Sequence, residues 1–153
     1  MKRVRYWSVK NARWLRQIYQ GLENCLVALH PIFIRLGYSR LDRGFVAVEK
    51  LFKGFLFDSK SCGQCTLSET GMACPMNCPK SLRNGPCGGV RANGNCEVEP
   101  NMVCVWVTSW QGHQRIGNPV ASIQVIQAPV DLRLKGSSAW LRAVRKRIGA
   151  SDA

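Results

Sequence analysis

The sequence predicts a small α+β or irregular domain stapled by metal, with a helical N-terminal region, a loop-rich cysteine core and an extended C-terminal tail. Three observations predict it. Seven of the eight cysteines lie between positions 62 and 104. Apolar residues recur at helical spacing before that cluster. Glycine and proline crowd the cluster itself, at Gly63, Gly71, Gly85, Gly88, Gly89, Gly94, Pro75, Pro79, Pro86 and Pro100, and so disfavour long regular elements there. A chain of 153 residues is long enough for one domain with a real core. The expected division is a basic helical region over 1–57, the cysteine-rich domain over 58–107, and an extended tail with a short basic helix over 108–153.

Residues 11–30 read as an amphipathic helix, with Trp14, Leu15, Ile18, Tyr19, Leu22, Leu26 and Leu29 on one side and Pro31 at its end. Cys25 on this helix reads as a small buried hydrophobe. Over 41–57, Phe45, Val48, Phe52 and Leu56 trace a second helical stripe, which Gly44 and Gly54 weaken. From Ser59 to Cys104 there is little apolar material, so the loops call for a staple. VCVWVTSW (103–110) reads as a strand or extended arm, and 121–134 as extended. Residues 137–149 read as a helix capped by Ser137 or Ser138, with Trp140, Leu141, Val144 and Ile148 on one face.

The formal net charge is +13, from 22 basic and 9 acidic side chains, which implies an acidic partner surface, a nucleic acid or an anionic lipid. Lys2, Arg3, Arg5, Lys10, Arg13 and Arg16 open the chain before the first acid, Glu23. A basic helix of this kind suits an acidic partner or a peripheral membrane contact. There is no apolar run long enough for a membrane span, and charges interrupt the region where a secretory signal would need its apolar run. A cytoplasmic location is the expectation. An oxidising compartment would instead permit three disulfides among the seven clustered cysteines, leaving one free.

Between successive members of the cluster, Cys62, Cys65, Cys74, Cys78, Cys87, Cys96 and Cys104, there are two, eight, three, eight, eight and seven residues. The single CxxC pair suits tetrahedral zinc or an iron–sulfur centre. His30 and His113 do not stand at zinc-finger spacing. Cysteine followed by proline, at Cys74-Pro75 and Cys78-Pro79, also closes the bacterial ferredoxin run. Ser59, three residues before Cys62, continues the rhythm with a serine in a ligand place, or is a turn serine. Seven cysteines leave three arrangements open: one four-cysteine cluster with three structural thiols, two clusters with one ligated incompletely or by Ser59, or one cluster and one zinc. The cofactor expected at these cysteines is one or two [4Fe–4S] clusters, with zinc as the alternative. No catalytic residue is expected: the chain carries no P-loop and no dinucleotide fingerprint, and nothing marks His113 as the base for a thiol nucleophile.

Several blocks between Cys62 and Trp106 resemble a known module. They are Cys62-Gly-Gln-Cys65, Thr70-Gly71, Cys74-Pro75, Cys78-Pro79-Lys80, Leu82-Arg-Asn-Gly-Pro-Cys-Gly-Gly89, Gly94-Asn-Cys96-Glu97 and Cys104-Val-Trp106. The run resembles the cysteine-rich domain named for the C-terminal part of certain methylenetetrahydrofolate reductases, which also occurs as a small subunit beside the flavin-containing reductase. The resemblance implies iron–sulfur clusters, electron delivery to or structural support of a flavoprotein, and a further cysteine where this chain has Ser59. The functional expectation is an accessory electron-transfer subunit of a flavoprotein reductase or a larger redox complex. The alternatives are a zinc-stabilised scaffold and a basic nucleic-acid-binding module.

Overall fold

The computed structural model describes residues 2–117 and 126–149. Six α-helices are present among them: α1 (Lys2–Lys10), α2 (Ala12–Ala28), α3 (His30–Leu36), α4 (Tyr38–Phe57), α5 (Val105–Ile116) and α6 (Ala139–Arg147). Helix α2 forms because Ala12, Leu15, Tyr19 and Leu26 fall on one buried face. Pro31 stands in the first turn of α3, where its missing N–H costs nothing. Gly37, at φ 83°, separates α3 from α4. Helix α4 turns Leu41, Phe45, Glu49, Lys53 and Phe57, each one turn after the last, toward its neighbours. It stops at Asp58, a left-handed residue at φ 50°.

The α+β expectation is corrected: the described residues contain no sheet, only one isolated bridge between Asn95 and Val103. The β-branched run at 103–110 is mostly helix α5. Tertiary contact overrides its local preference. Thr108 donates from its N–H and its Oγ1 to the Cys104 carbonyl, both at 3.0 Å, and Ser109 Oγ donates to the Thr70 carbonyl at 2.9 Å. Gly112 lies against Gly71, where a β-carbon on Gly112 would stand 2.0 Å from the Gly71 carbonyl oxygen. Of the segment expected to be extended, 121–125 lies outside the described residues, and Leu132–Leu134 is a single 3₁₀ turn.

One core joins the front, middle and end of the chain. Leu15, Tyr19 and Phe57 meet Leu67 and Met72 from the loops and Trp140, Leu141 and Val144 from α6. The loops are therefore anchored without a disulfide, since all eight cysteines are free. Leu67 and Met72 are nearly fully buried. Asn77 Nδ2 donates to the Phe57 carbonyl at 3.2 Å, Arg83 donates to the Gln64 carbonyl at 2.8 Å, and Trp106 Nε1 donates to the Leu82 carbonyl at 3.3 Å. Backbone pairing of Cys96 with Met102 and of Cys104 with Gly94 closes the last loop. Helix α6 begins at Ser138, whose Oγ accepts from the Leu141 N–H.

Candidate functional site

The fold sorts the seven clustered cysteines into two groups. Cys62, Cys65 and Cys74 line one small cavity of about 20 Å³, together with Ser59 and Arg83. Cys78, Cys87, Cys96 and Cys104 line another of about 10 Å³, with Lys80, Glu97 and Trp106. Each cavity is on the scale of a single water. The positive φ of Gly63, 75°, shapes the first loop, and a β-carbon there would collide with the Leu134 carbonyl.

Individual thiols are engaged by protein groups. Tyr19 donates its hydroxyl to Cys65 Sγ at 3.4 Å. Burial, then the neighbouring Cys65, drives the Tyr19 phenol far above its usual range. Cys62 Sγ points at the Gln64 carbonyl at 3.6 Å and lies 3.9 Å from an Arg83 guanidinium nitrogen. Burial pushes the Cys74 thiol up, which keeps it protonated at neutral pH. Cys96 packs with Met102 and Val105, against which Cys78 also rests. Cys87 is exposed and donates to Glu97 Oε1 at 3.1 Å. The Glu97 carboxyl also receives the Lys80 ammonium. That contact first, and Cys87 second, holds its pKa below the usual glutamate range. Ser59 Oγ accepts from the Ser61 N–H at 3.4 Å, as a turn serine does.

Shared cavities do not make ligand sets here. Among the described residues, no group of three or more His, Cys, Asp or Glu side chains is placed to hold a metal ion. The expectations of one or two [4Fe–4S] clusters and of zinc are corrected on that finding. The iron–sulfur and zinc-scaffold readings, and the electron-transfer and oxidoreductase-subunit roles built on them, fall with it. The physical reason is that Cys65, Cys74, Cys96 and Cys104 serve as packed side chains of the core and its margin. Cys25 departs from expectation in the other sense, being exposed on α2. His113 is buried in α5, stacked on Trp110 with ring centres 6.1 Å apart.

A larger cavity lies elsewhere. Helices α2 and α4 border an apolar groove of about 320 Å³. Buried Tyr19 and Trp140 form its floor, joined by a 3.1 Å hydrogen bond from the Trp140 indole to the Tyr19 hydroxyl. Ile18 and Leu22 of α2 and Val48 and Phe52 of α4 form its exposed walls. Beyond the walls, Trp14 is 57%, Leu51 70% and Phe55 69% exposed. So many large apolar side chains exposed together are unusual on a monomer's surface. The periodicity of 11–30 and 41–57 contained these residues, but it could not say which apolar positions the core leaves open. No helix among the described residues is long and apolar enough to cross a membrane.

The profile of the family described as Methylene-tetrahydrofolate reductase C terminal matches residues 38–133, more than half of the chain. No curated protein matches the chain, and no solved structure does. The chain belongs to the methylenetetrahydrofolate reductase C-terminal family.

Proposed function

From that family membership, we propose that the chain is a protein-docking module that binds a flavin-containing reductase of the methylenetetrahydrofolate reductase type. Docking through packed surface is the role. The observation that carries it is the set of large apolar side chains that α2 and α4 leave exposed, with Ile18 and Phe52 on the groove walls and Trp14, Leu51 and Phe55 beyond them. Interfaces of stable complexes have such an apolar, aromatic-rich centre and a polar rim. The family name supports the choice of partner. Eight free thiols suit the reducing cytoplasm as the place of assembly.

The test is to mix the full chain with the reductase and measure mass by size-exclusion chromatography with light scattering. A stable heteromeric species at micromolar concentration supports the reading. Separate elution of the two proteins under those conditions overturns it.

A further inference from the structure

Resting on the docking reading above, we propose that the α2–α4 groove receives an amphipathic helix of the partner protein, apolar on its inner face and acidic along its flanks. The length of the groove suits that ligand. Its α2 wall runs from Leu15 to Leu22, a rise of about 10 Å at helical pitch, or roughly two turns. An inserted helix would place side chains at i, i+3 or i+4, and i+7 into such a space.

Charge selects the flanks. Residues 1–57 contain eleven Lys and Arg against three acids, Glu23, Asp42 and Glu49. All three acids are engaged within the fold. Glu49 is buried against Lys53 and the start of α6, Asp42 accepts from the Ser138 N–H at 3.0 Å, and Glu23 faces Arg147 at 4.0 Å. Exposed Arg13 of α2 and Arg43 and Lys50 of α4 lie on the two helices that build the groove, away from their apolar stripes, so the apolar groove sits in a region with an excess of positive charge. Acidic flanks complement it. A second copy of the chain would bring +13 against +13, which opposes self-association. A bilayer surface would meet projecting Leu51 and Phe55, but not the recessed floor at Tyr19 and Trp140.

The experiment titrates the isotope-labelled full chain with two synthetic helical peptides. They share Leu and Phe anchors at i, i+3 and i+7 and differ in Glu or Lys flanks. Anionic phosphatidylglycerol vesicles and the chain alone at rising concentration are run in parallel. The Glu-flanked peptide is expected to shift the Trp140 indole resonance and to bind at least about tenfold more tightly than the Lys-flanked one. Ile18→Glu and Phe52→Glu, at half-exposed positions, are each expected to weaken it by about tenfold or more, with unchanged circular dichroism. The wild-type resonance shift stands as evidence even if a variant misfolds. Equal binding of both peptides, no shift at Trp140, binding to vesicles only, or dimerisation through this face overturns the proposal. Both variants are also mixed with the reductase. Undiminished complex formation sinks the groove while leaving docking intact, whereas failure of the wild-type chain to bind the reductase removes docking itself.

Discussion

Glu49 and Lys53, one turn apart on α4, form an ion pair at 3.1 Å with both side chains almost wholly buried. The carboxylate does more than pair. It accepts from Ser138 Oγ at 2.5 Å, and from the Ala139 N–H at 3.2 Å and the Trp140 N–H at 2.7 Å, two of the backbone donors that the first turn of a helix leaves unpaired. The Lys53 ammonium lies 4.7 Å from the Trp140 ring centre and 5.6 Å from that of Tyr19. One buried pair thereby fastens α6 to α4 and α2.

Glu49→Gln is expected to destabilise the fold by about 3 kcal/mol, because it leaves Lys53 buried without its counter-charge. Urea unfolding followed by circular dichroism measures it. A loss under 1 kcal/mol would mean that the pair behaves as a surface ion pair does.

Gly71→Ala is expected to cost about 2 kcal/mol or more. Its φ is +60°, and a β-carbon would stand 2.4 Å from both the His113 nitrogen and the Ser109 oxygen. These are backbone atoms of α5 and cannot swing away. Thermal melting reports the loss; a melting temperature equal to that of the wild type would contradict the close approach.

Thiol labelling should follow burial. Cys25 and Cys87 are exposed, whereas Cys74, Cys96 and Cys104 are buried. Iodoacetamide on the native chain, read by peptide mass spectrometry, is expected to modify the first two well before the other three, which react on unfolding. Early modification of Cys74 would contradict its place in the core.

The Lys80–Glu97 contact should give way in acid. The folded-state carboxyl is held low, so its contribution is present above the unfolded-state value and is lost as pH falls through the folded one. NMR titration should put the Glu97 midpoint below the usual glutamate range, and Lys80→Met should raise it. An unchanged midpoint in that variant would show that the ammonium is not the cause.

Much of the helical frame was legible in the sequence. The stripe of Leu15, Tyr19 and Leu26 gave α2, and Ser138 was one of two serines named for the cap of α6. Propensity misled at 103–110, because β-branched residues there become helical once Ser109 and Gly112 press onto Thr70 and Gly71. The cysteine run was legible as a family feature, but spacing alone could not show how the loops sort three thiols from four, nor that Tyr19 and Arg83 reach them from distant positions. The groove was invisible for a related reason. A periodic stripe marks apolar positions without distinguishing those that meet a neighbouring helix from those left facing solvent.

Trp140 lies on the floor of a groove whose walls come from residues before position 58. The groove is consequently completed only once α6 is in place, although most of it is made earlier. A nascent chain lacking α6 would present two apolar walls over an open gap. A partner that reads the groove by shape would then also inspect the fold, admitting chains whose α6 has been synthesised and fastened in place.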